Sequence, residues 1–167
     1  MTVGVVAWPD IELSRAVTAI WRAVADAGCP SLVGTVQIPH LSFVVADSFN
    51  GDAVARACGA VPREPIQIDA VTIGVFPGGI VHLGIRPTTA LLEEHRRVQA
   101  AAAPYLVEPW PYFAPDEWTP HITIAMGLDS DQVSRAVSAT LTSLPLSGHL
   151  VRGGIEDGDT GHRILLQ

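Results

Sequence analysis

Pro39-His40-Leu41-Ser42-Phe43 and, 81 positions later, Pro120-His121-Ile122-Thr123-Ile124 are two copies of one pattern: proline, histidine, apolar, hydroxyl, apolar. In a β-strand successive side chains point to opposite faces, so His40 and Ser42 share one face while Leu41 and Phe43 share the other. The second copy behaves identically. Each strand therefore offers an imidazole beside a hydroxyl, roughly 6–7 Å apart at about 3.3 Å rise per residue, close enough for both to reach one phosphate-sized group. Two such strands facing each other bracket a phosphodiester.

The surroundings of the two motifs also repeat. Asp52-Ala-Val54-Ala-Arg56-Ala57 follows the first and Asp131-Gln-Val133-Ser-Arg135-Ala136 follows the second, 12 and 10 residues beyond their histidines. Upstream, an apolar strand over residues 3–8 and a helix precede motif one, as a strand over residues 81–86 and a helix precede motif two. Downstream, Ile66-Gln-Ile68-Asp and Leu146-Ser-Gly-His-Leu150 occupy corresponding places. A period near 80 residues makes this an internal duplication into two lobes, approximately 1–78 and 79–167, within one domain. A single His-x-Ser in a strand is ordinary, and a lone histidine is usually structural. Two in matching contexts ask for a joint role.

Two imidazoles suit phosphodiester cleavage. One takes a proton from the attacking oxygen and the other gives one to the leaving oxygen, and a side chain with an unperturbed pKa near 6.5 serves either role at neutral pH. The hydroxyls of Ser42 and Thr123 can donate to the non-bridging oxygens, where charge accumulates in the transition state. The scheme calls for no metal and no cofactor. A metallohydrolase needs a further ligand beyond two histidines, and a noncatalytic phosphate-binding module remains the other alternative.

On these motifs the chain resembles the 2H phosphoesterase superfamily, the group containing LigT-type 2'-5' RNA ligases and cyclic phosphodiesterases. The resemblance runs nearly end to end. It implies an α+β, bilobal duplicated fold, with two antiparallel sheets and flanking helices around a central cleft lined by both motif strands. It also implies His40 and His121 as general base and acid, in unassigned order, and Ser42 and Thr123 as phosphate binders. The implied activity is hydrolysis of a cyclic or 2'-5'-linked phosphodiester, with 2'-5' ligation as the reverse reaction in the same site. Several LigT-type chains carry a basic residue soon after a motif, whereas Val44-Val45-Ala46-Asp47 and Ala125-Met126-Gly127-Leu128 stand here. Arg86, at the end of a strand, is the candidate substitute cation.

Composition sets further bounds. The chain has 167 residues, 48% of them hydrophobic, with no run long enough to span a bilayer, so one soluble, cytoplasmic domain is expected, as a monomer and without a membrane partner. All ten basic residues are arginine, and the net charge is −7. Long duplex nucleic acid is a poor match for so few cations, and a small nucleotide, a cyclic phosphate or an RNA end is the expected partner. Cys29 and Cys58 lack metal-ligand or disulfide spacing and read as buried thiols.

Along the chain, Asp10 caps a helix whose Leu13, Val17, Ile20, Trp21 and Val24 recur at helical spacing, and Gly28 ends it. The motif-one strand is expected over residues 37–46. Pro77-Gly78-Gly79 joins strands over residues 66–76 and 80–86 as a hairpin. His82 lies in the second of these, on a face that alternation leaves open, and His95 is expected on a solvated helix face. Residues 104–120 form an irregular, aromatic stretch. Tyr112, Phe113 and Trp118 are its candidate substrate contacts, able to stack a nucleobase or to staple the loop to the core. Residues 156–161 read as a hairpin turn rather than a calcium loop.

Overall fold

The duplication expected from the motifs is present as a repeated β-α-β-α-β unit. The computed structural model describes residues 2–167. The first unit comprises β1 (Val3–Pro9), α1 (Ile11–Asp26), β2 (Leu41–Phe49), α2 (Gly51–Cys58) and β3 (Ile66–Phe76). After a tight hairpin come β4 (Ile80–Ile85), α3 (Thr89–Ala102), a short β5 (Leu106–Pro109), β6 (His121–Ala125), α4 (Ser130–Leu141) and β7 (Leu146–Asp157), and β8 (Arg163–Leu165) follows as a final strand.

Local chemistry sets the boundaries. The Asp10 carboxylate accepts from the Leu13 amide at 2.9 Å, satisfying one of the free N–H groups at the start of α1. Thr88 does the same for α3, and Asp129 with Gln132 forms a capping box on α4. Gly78 and Gly79 both adopt positive φ, which lets the chain reverse between β3 and β4. Motif two begins its strand at His121, as motif one does at Leu41, so the strand starts later than residue 37.

All strands pair antiparallel along the path β5-β2-β1-β7-β3-β4-β6, with β8 on β7. β7 joins the halves: residues 146–150 pair with β3 and residues 150–157 with β1. The two sheets expected of the lobes are thus hydrogen-bonded into one through this strand. The halves also interleave. β3, from the first unit, completes the sheet of β4 and β6, while β7, from the second, completes that of β1 and β2. Buried residues of both units, among them Val5, Leu41, Phe43, Leu83, Ile122 and Ile124, form one apolar cluster.

The repeat extends to an irregularity. The register of β1 with β2 slips between Val5 and Val6, skipping Phe43, and that of β4 with β6 slips between Val81 and His82, skipping Ile124. An extra residue in one strand bends it and leaves backbone groups outside the ladder. Consecutive residues Phe43-Val44 and Ile124-Ala125 are buried in consequence. Side chains from the opposite unit take up nearby carbonyls: Gln99 Nε2 donates to Phe43 O at 2.9 Å, Trp118 Nε1 to Ser42 O at 3.1 Å, and Trp21 Nε1 to Thr123 O at 3.1 Å. Each motif is held in place by the other half.

Candidate functional site

His40 and His121 are locked in the same way. The Nδ1 of His40 lies 2.8 Å from the carbonyl of Ile38, and the Nδ1 of His121 lies 2.7 Å from that of Thr119. A carbonyl only accepts, so in each ring Nδ1 holds the proton and Nε2 is left as the reactive atom. The intervening prolines explain the match. Pro39 and Pro120 have fixed φ and keep the preceding residue extended, which turns the carbonyl two residues back toward the ring.

The motif strands β2 and β6 touch across the two halves. Burial pushes His121 below its ordinary value of 6.5; the Thr119 carbonyl opposes this and the charge of His40 adds to it. Ser42 and Thr123 are half-buried on the imidazole face, and neither hydroxyl has a hydrogen-bond partner among the described residues. A half-buried donor without a protein acceptor is available to a ligand.

The environments of the two rings differ. His121 is surrounded by rings, with centroids of Phe76 at 4.9 Å, His82 at 5.2 Å and Phe113 at 6.4 Å. His82 is only 4% exposed, stacks on Phe76 at 4.0 Å, and has an Nδ1 without a hydrogen bond. Desolvation, aided by His121, pushes its pKa down to about 4. The ring lies over Gly74, where a Cβ would stand 2.3 Å from its Nε2, so this site requires glycine. Beside His40 the neighbour is a carboxylate: Glu156 Oε1 is 4.0 Å from Nδ1. Glu156 is 3% exposed and accepts from Arg163 Nε and Nη2, both at 3.1 Å, and from Trp8 Nε1 at 3.4 Å.

The remaining candidates separate. Tyr112 is 74% exposed, and Phe113 is half-buried beside His121, its carbonyl held by His95 Nε2 at 2.9 Å and by Gln99 Nε2. Trp118 is not a substrate platform. It is buried, lies flat against His95 at 3.8 Å, and its N–H is taken by Ser42 O, so it staples the loop to the core. Its partner His95, expected at the surface, is 1% exposed, and burial pushes its pKa down to about 4 against the opposing bond to Phe113 O. Arg86 is exposed, and its Nε lies 3.8 Å from Asp69 Oδ2, so its charge is partly matched.

A family profile described as the 2'-5' RNA ligase superfamily matches residues 9–152. The chain belongs to that superfamily. The matched stretch covers both motifs of this 2H phosphoesterase chain, and its fold is similar to that of the structure of Kluyveromyces marxianus Usb1, with a TM-score of 0.51 over 98% of this chain and 97% of that one at 9% identity. No curated protein matches the chain in sequence. Within the superfamily frame, two neighbours of the histidines and one cation on the motif-one sheet face escape sequence reasoning. Alternation alone gives His82 no face, because the bulge in β6 resets the register across from it. The acidic residues crowding 156–159 make Glu156 read as turn, whereas β7 runs on to Asp157. Arg152 pairs with Trp8 and lies on the same sheet face as Val6 and Ser42, with no side-chain partner among the described residues. Only strand register could have revealed it. Among the described residues no group of three or more His, Cys, Asp or Glu is arranged to hold a metal ion, and no helix is long and apolar enough to cross a membrane.

Proposed function

We propose that the protein hydrolyses a small cyclic or 2'-5'-linked phosphodiester by general acid–base catalysis between His40 and His121. The observation that carries this reading is the matched pair of imidazoles, each tethered at Nδ1 and each with an unclaimed hydroxyl two residues further on. One Nε2 accepts a proton from water as its oxygen bonds to phosphorus. The phosphorus–oxygen bond of the leaving group breaks, and the other Nε2–H supplies the proton that the departing oxygen needs. Ser42 and Thr123 donate to the non-bridging oxygens, which gain charge as the attack proceeds.

Substrate size follows from charge. With a net charge of −7 and no lysine, a nucleotide or short oligonucleotide end suits the cleft better than a long strand. Arg152 supplies a cation on the cleft face, and Tyr112 offers an exposed ring on the loop beside Phe113 and His121. Joining RNA ends through a 2'-5' linkage is the reverse passage through the same arrangement. The test is incubation with 2',3'-cyclic nucleotides, ADP-ribose 1'',2''-cyclic phosphate and 2'-5'-linked oligoadenylate, followed by phosphorus NMR. Turnover that disappears in both His40→Ala and His121→Ala supports the reading. Full activity in either variant refutes it.

A further inference from the structure

The duplication supplies an internal control for the sheet edges. Residues 66–70 of β3 and 146–150 of β7 are equivalent in the repeat and pair with each other, and beyond that stretch each strand runs on alone along the shared side. In β7 the freed edge is covered. β8 pairs with residues 154–156, Leu166 N donates to Gly153 O at 3.0 Å, and Leu166 is buried. The equivalent residues of β3 are 73–76, and they pair with β4 on the opposite side only. The connections explain the difference. The chain leaves β7 through a turn that lays β8 on this edge, whereas it leaves β3 through the 77–79 hairpin onto the other one. Among the described residues no backbone group bonds to the open edge of β3.

Open edges are usually blunted by charge, proline, a bulge or a cover. β5, the outer strand beside β2, is short and carries Glu108 and Pro109. The bulge of β3 lies at residues 70–72, before the open edge, which then runs regularly to Phe76. Beside it, Val71 and Ile73 line an apolar groove of about 550 Å3 with Val137, Leu141 and Leu144, and Val71, Val75 and Leu141 are exposed. Neither 71–80 nor 136–145 contains a charged residue. We propose that a second copy of the chain docks here, β3 against β3, antiparallel about a twofold axis. A strand paired antiparallel with its own copy is self-complementary, so one contact covers both open edges and closes. Opposed side chains share a face, so an axis near Gly74 carries Val75 of one copy toward the groove of the other. A partner of different sequence would need charges or polar groups to select it, and this surface has no charge to offer. The result is a dimer in place of the monomer expected from composition. Ile73 and Val75 point away from the face on which Phe76 meets His121, so each copy keeps its own histidine site.

Sedimentation equilibrium of the full chain tests this, with amide hydrogen exchange followed by NMR on the same samples. The wild-type protein should approach twice the mass of one chain as concentration rises, and the amides of residues 72–76 that face away from β4 should become protected in step. Val75→Lys puts a charge on the edge itself, and Leu141→Glu puts one at the flanking groove. Each should keep the circular dichroism spectrum of the wild type and stay monomeric at concentrations where the wild type is dimeric. Should one variant not fold, the other still carries the expectation. A wild-type chain that remains monomeric at its highest soluble concentration would overturn the proposal, leaving the edge open or taken by a different partner. So would a dimer that survives either substitution in a folded variant, or one whose β3 amides stay unprotected, because the copies would then meet elsewhere.

Discussion

Replacing His82 with phenylalanine should make the protein markedly less sensitive to acid. His82 and His95 are 4% and 1% exposed and both titrate at about 4 in the folded chain, against 6.5 in an unfolded one. A folded pKa below the unfolded value means that the unfolded chain binds the proton first. The neutral rings thus contribute their stability in full above pH 6.5, and that contribution is lost as pH falls from 6.5 toward 4. At pH 5, linkage gives about 2 kcal/mol lost per ring, hence about 4 kcal/mol for the two, against a typical domain stability of about 5–15 kcal/mol. Urea unfolding of wild type and His82→Phe at pH 7.5 and 5.0 measures it. The wild-type loss should exceed that of the variant by about 2 kcal/mol. Packing differences between imidazole and phenyl act at both pH values and cancel, as does the titration of His121. Equal losses in the two proteins would show that His82 is not held neutral by burial, and the account of the ring cluster around His121 would fail with it.

Other outcomes follow from the same geometry. Ser42→Ala and Thr123→Ala should each cost about 1–3 kcal/mol of transition-state stabilisation, read as a fall in kcat/KM, while Thr123→Ser keeps most of the activity. Trp118→Phe keeps the stack on His95 but strips the N–H from Ser42 O. It should lower stability by about 1–3 kcal/mol in urea titration and reduce kcat through a displaced motif-one strand. Arg152→Ala should raise KM roughly two- to fivefold with kcat unchanged, the scale of an exposed ion pair with substrate phosphate.

The alternation in the two motifs was enough to place Leu41, Phe43, Ile122 and Ile124 in the core and the histidines and hydroxyls on the other face, because strand periodicity is local. The helix cap at Asp10 and the glycine hairpin at 78–79 are legible for the same reason. The aromatic loop was not. Whether Trp118 meets a base or the core depends on His95 and Ser42, 23 and 76 positions away in sequence, and no local period reaches that far.

By itself, then, the sequence determined a duplicated α+β chain with two imidazole–hydroxyl strands and a phosphoesterase family, since motif, period and capping are properties of neighbouring residues. Tertiary structure decided what surrounds each imidazole. Strand exchange through β3 and β7 brings Phe76 to His121 and Glu156 to His40, and the strand register after two matched bulges sets Val6 opposite Ser42 and His82 opposite Thr123. Burial and charge, the quantities that separate one histidine from the other, arise from residues far apart in the chain, and only the folded arrangement places them within a few ångströms.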